Sequence, residues 1–288
     1  MNILITGKNS YIGESIKTHL TRFGHNVSDV DTIGNEWQKI DYSSYDSIVH
    51  VAAIVHNDAK IASPELFQKV NTQLPFEIAK LAKKSGVKQF VFISTMAVFG
   101  AEKSLTKEYS IVNSNTALNP ISAYGQSKLQ AEQLLKTLES DNFVLSIVRP
   151  PNVYGPNCRG NYIYLFRKLA KLLFVCPYAY TNIKQSMLYI DNLSELIRLV
   201  IENNSGGIYM PQDDYIPNTV DIITAIRKTI GKKTLNSKLL GKCVALFSKI
   251  SIVNKIYGGV CYEETISNHF DNKYQIVPFE KGIELTYK

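Results

Sequence analysis

The chain reads as an α/β protein, a Rossmann-type doubly wound parallel sheet with a small C-terminal α/β substrate domain. Three observations predict this. Short, almost continuously apolar runs alternate with segments of helical periodicity through the first half, the pattern of a parallel sheet covered on both faces. The first run is followed at once by a glycine-bearing turn, Thr6-Gly7-Lys8-Asn9-Ser10-Tyr11-Ile12-Gly13. A tyrosine and a lysine four residues apart, Tyr124 and Lys128, lie inside a helical pattern that starts after Pro120.

In order, residues 3–6 form a strand and 11–23 a helix. Strands follow over 27–31 and 47–53. Residues 67–85 make a long helix with Phe67, Val70, Leu74, Ile78 and Leu81 on one face, and Gly86 stops it. A strand over 90–94, a helix over 121–138 and a strand over 144–149 complete the regular half. After Pro150-Pro151 the rhythm breaks, with Gly, Asn, Pro and Tyr accumulating to Tyr180. A strand runs into a helix over 188–201, a short strand covers 207–210, a helical pattern covers 218–230, and the mixed tail has its last ordered piece over 279–285. This divides the chain into a nucleotide-binding domain over 1–150, with returns near 186–210, and a substrate domain over 151–185 and 211–288.

Composition narrows the function. The chain of 288 residues is 45% hydrophobic and 20% charged, ordinary for a globular protein. No segment reaches the ~18 apolar residues of a membrane span, and the opening strand leaves no room for a signal peptide. Cys158, Cys176, Cys243 and Cys261 are far apart without metal-ligand spacing, so they read as reduced cytoplasmic thiols, with no metal expected. The net charge of +7 suits an anionic substrate or an acidic surface. The basic residues read as scattered, without the stripe that marks nucleic-acid binding. One stretch with Lys242, Lys249 and Lys255 among Leu246, Phe247, Ile250 and Val253 reads as a helix packed on the core, with a membrane-surface helix as the alternative.

The glycine turn reads as a pyrophosphate cradle. Gly7 permits the tight turn, Gly13 lets the helix approach the sheet, and the N–H groups at the helix start, from Ser10, Tyr11 and Ile12, face the ligand, aided by the helix dipole. Ser10 stands where a middle glycine is usual. The second strand ends at Asp31, the spacing at which a carboxylate accepts hydrogen bonds from an adenosine ribose and repels a 2′-phosphate, which favours NAD over NADP; Asp29 competes. The spacing Tyr-x-x-x-Lys occurs also at Tyr164/Lys168 and Tyr180/Lys184, but only Tyr124/Lys128 follows a strand end and a proline-led helix start. Four apart on a helix, Lys128 shares a face with Tyr124 and is expected to lower the phenol's pKa. Ser94-Thr95, at the carboxyl end of a central strand, offers a hydroxyl where open parallel sheets bind ligands.

Together Thr-Gly-x-x-x-Tyr-Ile-Gly, His50-Val51-Ala52-Ala53, Val70-Asn71, Ser94-Thr95-x-x-Val98-Phe99-Gly100, Tyr124-x-x-x-Lys128 and Arg149-Pro150-Pro151-Asn152-Val153-Tyr154-Gly155-Pro156 resemble the extended short-chain dehydrogenase/reductases, and among them the NAD-dependent epimerase/dehydratase family acting on nucleotide-sugars. The resemblance spans the chain, including Tyr189-Ile190-Asp191-Asn192-Leu193 and Pro278-Phe279-Glu280-Lys281-Gly282-Ile283. It implies Tyr124 as general base or acid, Lys128 as its partner, Thr95 as the second hydroxyl on the reacting oxygen, Ala52, Ala53 and Asn71 on the cofactor side, and Asn152 on the substrate. It implies a homodimer making sugars for cell-surface polysaccharide. The family's dehydratases carry an acidic pair where this chain has Met96 and Ala97, which disfavours dehydration. Lys184 and Gln185 stand where a phosphate-binding arginine is common, and the short span from Asp31 to Ser47 implies an abbreviated adenine pocket.

Overall fold

The computed structural model describes residues 1–55, 63–101, 105, 110–158 and 160–288. β1 (Asn2–Thr6) turns at Gly7 into α1 (Tyr11–Arg22); β2 (Asn26–Val30) follows, and β3 (Ser47–His50) after two short 3-10 turns. Next come α2 (Pro64–Phe67), a π-helical stretch (Gln68–Gln73) and α3 (Leu74–Lys84) as one rod, then β4 (Gln89–Ile93), β5 (Ser110–Val112), α4 (Ala123–Lys136) and β6 (Val144–Val148). The remainder is β7 (Asn152–Tyr154), α5 (Asn161–Leu172), β8 (Val175–Pro177), β9 (Met187–Tyr189), α6 (Ile190–Glu202), β10 (Gly207–Tyr209), α7 (Thr219–Thr229), β11 (Leu235–Ser237), α8 (Lys238–Leu246), α9 (Ser251–Tyr257), β12 (Val260–Tyr262), α10 (Glu264–Ser267) and α11 (Phe279–Tyr287).

Six strands form one sheet in the order β10-β6-β4-β3-β1-β2, and every pairing in it is parallel. The chain steps from β1 outward to β2, then crosses back to lay β3 on the other side of β1. That reversal is a topological switch point, and ligands bind in the crevice at the carboxyl ends of the strands that flank it. The sheet ends at β2, because residues 31–46 make only 3-10 turns. β2 is therefore the edge strand on that side of the sheet.

The six strands are buried from both faces. Ile3 and Ile5 pack with Ile16 and Leu20 of α1 and with Leu193, Leu196 and Ile197 of α6. Leu4, Ile48, Phe90 and Phe92 pack the other way, on Ile78 and Ala82 of α3 and Ala131 and Leu135 of α4. Side chains such as Ile16 and Leu20, both at 0% exposure, each contribute about 1.5–3 kcal/mol by leaving water. The first cluster runs without a break into Phe166, Ile223 and Ile283 of the C-terminal helices. The parallel sheet and the C-terminal helices thus share one core.

Several boundaries differ from the periodicity. β3 stops at His50 rather than Ala53, because the N–H groups of Val51 and Ala52 both donate to the Thr6 carbonyl, at 3.0 Å each, and bend the chain over the end of β1. The long helix starts at Pro64, capped by the Ser63 side chain. α5 has no side-chain cap at Gly160, so its start carries no signal of the usual kind. The stretch expected as one core-packed helix around Lys242 to Lys255 is corrected: it forms two short helices, α8 and α9, whose apolar side chains are largely exposed, with Leu246 at 82% and Phe247 at 54%. All four cysteines are free. Among the described residues no helix is long and apolar enough to cross a membrane.

Candidate active site

Gly7 adopts a φ of +113°, and a Cβ there would meet the Ala52 backbone nitrogen at 2.8 Å. Only glycine allows β1 to turn this close to the loop after β3. The N–H groups of Gly7 and Lys8 donate to the Val30 carbonyl at 3.1 and 3.2 Å, joining the turn to the end of β2. Ser10 caps α1, its hydroxyl accepting from Gly13 N–H at 3.2 Å. The residue that replaces the middle glycine thus organises the helix end, and a Cβ on Gly13 would meet that hydroxyl at 2.6 Å. A helix start leaves its first N–H groups without helical partners; the Ser10 N–H, expected to face the ligand, instead donates to the Gly7 carbonyl at 3.2 Å, and with Gly13 served by Ser10 those of Tyr11 and Ile12 remain for a phosphate. The Tyr11 ring turns away from the turn and packs against Gly155, where a Cβ would come within 2.5 Å of its hydroxyl. Its burial pushes that phenol up.

Asp31 directly follows β2 and is exposed, accepting from Ile33 N–H at 2.9 Å. Asp29 is occupied by Lys17 and, at 3.7 Å, by Lys8. Of the two carboxylates, Asp31 is the one at the sheet edge beside the glycine turn. The cradle, the vacant N–H groups and this carboxylate fit a dinucleotide: the turn would hold its pyrophosphate and Asp31 its ribose.

Ala52 is buried and Ala53 half-buried on the far side of the crevice. The loop they begin is pinned by Asn71, which is fully buried. The Asn71 amide accepts from Ile54 N–H at 2.8 Å, donates to the Ile54 carbonyl at 3.0 Å and donates to Ser127 Oγ at 3.1 Å. Asn71 lies in the π-helical stretch, a distortion common at functional sites. It links the loop lining the crevice to α4.

On α4, Ser122 caps the helix by accepting from Gly125 N–H at 3.0 Å. A Cβ on Gly125 would meet the Ala97 carbonyl at 2.7 Å, so α4 sits directly against the turn after β4. That contact brings Tyr124 to Thr95, and the two side chains are hydrogen-bonded. Thr95 Oγ1 also accepts from Ala97 N–H at 3.2 Å. Lys128 is 1% exposed, donates to the Ile93 carbonyl at 2.7 Å and stands 4.5 Å from the centre of the Phe92 ring.

The electrostatics correct one expectation. Burial pushes the Tyr124 phenol up to about 12, with the Thr95 hydrogen bond acting against it. Burial also pulls the Lys128 ammonium down to about 7, with Glu132 opposing. A lysine so weakly charged, and bonded to a backbone carbonyl, does not lower the phenol here.

Behind Lys128 lies a buried polar set that the sequence reading missed. Glu132, 1% exposed, accepts from Ser94 Oγ at 2.5 Å and from Arg149 Nε and Nη2 at 3.0 and 2.6 Å. The fork-to-fork pair is the strong geometry for arginine and carboxylate. Its signal was available: Tyr124, Lys128 and Glu132 are successive four-residue steps on one helix face.

Asn152 opens β7 and is exposed. The Met96 N–H donates to the Pro150 carbonyl at 3.0 Å, so Asn152 and Thr95 leave the same edge of the sheet. Gln185 is buried and its side chain bonds Tyr162. Tyr164 is 70% exposed on α5, and Tyr180 stands outside any helix with a φ of +51°. Neither repeats the Tyr124/Lys128 arrangement.

A switch-point crevice with a glycine cradle on one side and a threonine, tyrosine and buried lysine on the other defines a dinucleotide-dependent enzyme of the extended short-chain dehydrogenase/reductase type. Residues 3–210 match the NAD dependent epimerase/dehydratase family, and the chain belongs to it. It is similar to the UDP-glucose 4-epimerase of Vibrio cholerae, 29% identical over 89% of this chain and 85% of that one. It is also similar to the N-acetyl-alpha-D-glucosaminyl-diphospho-ditrans,octacis-undecaprenol 4-epimerase of Escherichia coli O157:H7, 27% identical over 87% and 81%. In fold it matches a UDP-glucuronic acid 4-epimerase from Bacillus cereus solved with NAD, with a TM-score of 0.73 at 19% identity over 100% and 95% of the two chains. The cofactor is NAD.

Proposed function

We propose that the protein interconverts a nucleotide-diphosphate hexose and its C4 epimer through a 4-keto sugar. The observation that carries this reading is the Thr95–Tyr124 hydrogen bond beside buried Lys128, on a chain whose near-full-length relatives are 4-epimerases. NAD, when bound, supplies the hydride acceptor and then the donor. The chain supplies the proton chemistry. Tyr124 takes the proton of the C4 hydroxyl and later returns one to the C4 carbonyl oxygen. Thr95 holds that oxygen against Tyr124. Lys128, one helical turn from Tyr124 and bonded to the Ile93 carbonyl, is placed to reach the cofactor ribose hydroxyls. Asn152 contacts the sugar at the mouth of the crevice, while Gly7 and the start of α1 hold the cofactor pyrophosphate and Asp31 its ribose.

A second reading, one-way reduction of a nucleotide-linked 4-keto-6-deoxysugar, is favoured by one observation. Burial raises the Tyr124 phenol above its ordinary value, which favours the protonated form that donates to a carbonyl oxygen. Hydride accounting separates the two. The epimerase converts a UDP-hexose to its C4 epimer, seen by proton NMR, with no net change in nicotinamide absorbance. The reductase is silent on that sugar and oxidises NADH when given the 4-keto-6-deoxy compound. A 4-keto-6-deoxy product accumulating from the hexose would overturn both readings, since Met96 and Ala97 offer no acid–base pair for loss of water. The same assay run with an undecaprenyl-diphosphate sugar tests the other carrier named among the relatives.

A further inference from the structure

The positive charge of the chain is concentrated in one place. Between Asp221 and Glu263 there are eight basic residues and no acidic one. The chain holds 32 basic and 25 acidic residues, so outside this segment 24 basic residues face 25 acidic ones. The rest of the molecule is close to neutral, and the reading of the basic residues as scattered is corrected.

The same segment exposes apolar side chains. From Gly231 to Ile256 only Gly241 is buried. A Cβ on Gly241 would come within 2.1 Å of the Tyr178 carbonyl, so α8 lies flat on the segment after β8 through its one side-chain-free position. At 100° per residue, Leu239, Cys243 and Leu246 project from the side of α8 opposite Gly241. The helix is therefore mounted with its apolar stripe outward, the reverse of a core helix. Leu239 is 73% and Leu246 82% exposed, and Phe247, Ile250 and Ile252 follow in the turn and α9. Leu172 and Phe174, at 69% and 77% exposure, extend the same surface. They are joined to it by Arg227, which donates to the carbonyls of Ala170 and Lys233, and by Lys232, which donates to the Lys171 carbonyl.

We infer that this face docks the protein on an anionic lipid bilayer. Leucine, isoleucine and phenylalanine ringed by lysine, on a helix lying flat, is the surface that enters the headgroup region with its apolar side down, and lysines near an anionic surface add to the affinity. A second copy of the same face would bring like charges together. A nucleic acid would leave the apolar stripe in water. The inference stands apart from the choice of sugar substrate, because none of these residues belongs to the site.

Co-sedimentation with vesicles tests it. The full chain should bind phosphatidylcholine vesicles containing about 30 mol % phosphatidylglycerol, bind pure phosphatidylcholine far less, and lose affinity as salt rises from about 0.05 to 0.5 M. Each of Lys238→Gln, Lys242→Gln and Lys249→Gln should lower the partition coefficient about fivefold. Leu239→Ser with Leu246→Ser should lower it by about a hundredfold or more, roughly two buried leucines' worth. These variants should keep wild-type turnover and melting temperature, which separates lost docking from lost folding. Equal binding by wild type and variants, no binding to anionic vesicles, or preferential binding of duplex DNA would overturn the inference. A dimer that dissociates in the leucine variant while vesicles go unbound would assign the face to a second copy and overturn it too.

Discussion

The helix that carries Tyr124 and the segment around α8 depart from the usual arrangement of polar and apolar side chains in opposite directions. On α4 and its neighbours, Lys128, Glu132, Arg149 and Asn71 are all under 5% exposed. Around α8, large aliphatic side chains stand in water. The first departure is resolved inside the molecule: each buried group meets partners at 2.5–3.1 Å, which offsets the cost of taking it from water. The second has no such internal resolution. The two regions share a lesson. A buried charge and an exposed leucine are each informative only through what touches them, and one region points to chemistry while the other points to a surface.

The contrast can be broken most sharply at Tyr124. Tyr124→Phe should lower turnover by about 10²–10⁴-fold, the usual worth of general acid–base catalysis, while NAD remains bound. Tyr164→Phe and Tyr180→Phe should change the rate little. A rate above about a tenth of wild type in Tyr124→Phe would move the proton chemistry to another group.

Next is the buried pair. Arg149→Met leaves buried Glu132 with the Ser94 hydroxyl but no cation, and should cost about 3–5 kcal/mol in urea unfolding. By comparison Leu246→Ser, in the exposed region, should stay within about 0.5 kcal/mol of wild type. If the two substitutions cost the same, the distinction between the regions fails.

Asp31→Ala removes the ribose acceptor and the repulsion of a 2′-phosphate. The ratio of Kd values for NADP and NAD should fall roughly tenfold or more, the worth of about 1.5–3 kcal/mol for a hydrogen bond to a charged group. An unchanged ratio in a titration of both cofactors would remove Asp31 from the site.

The smallest effect is a pH slope. Lys128 titrates near 7 in the folded chain against an ordinary value of 10.5. Between those values the unfolded chain holds a proton that the folded chain has released, so Lys128 makes stability rise with pH across that window. Melting temperatures at about pH 7 and 8.5 should rise in wild type relative to Lys128→Met. Parallel curves would show that the lysine keeps its ordinary pKa.

Much of the frame was legible because it is written in local rules. The glycine turn, the alternation of apolar strands with helices and the four-residue step from Tyr124 to Lys128 depend on short spacings. What was missed depends on residues far apart in sequence. The Glu132–Arg149 pair joins a helix to the strand after it, and neither residue announces burial by itself. β7, β8, β9, β11 and β12 have three residues each, too few for a period to show. The outward mounting of α8 follows from one glycine meeting a carbonyl 63 positions earlier, at Tyr178. The phenol was misjudged because counting spacing places a charge nearby but says nothing about how far burial weakens it.

The π-helical stretch at Gln68–Gln73 makes the site sensitive to the number of residues as well as to their kind. A π turn holds one residue more than an α turn. Deleting Thr72 or Gln73 would let the rod rewind as a plain α-helix: its two ends would stay nearly in phase, but Asn71 would move one position round the axis relative to α3. Asn71 could not then bond Ile54 and Ser127 together, although every apolar contact of α3 with the sheet could be kept. The loop after β3 and α4 would come out of step in a protein that still folds. Within the rod, insertions and deletions should therefore be far less tolerated than exchanges of its exposed side chains.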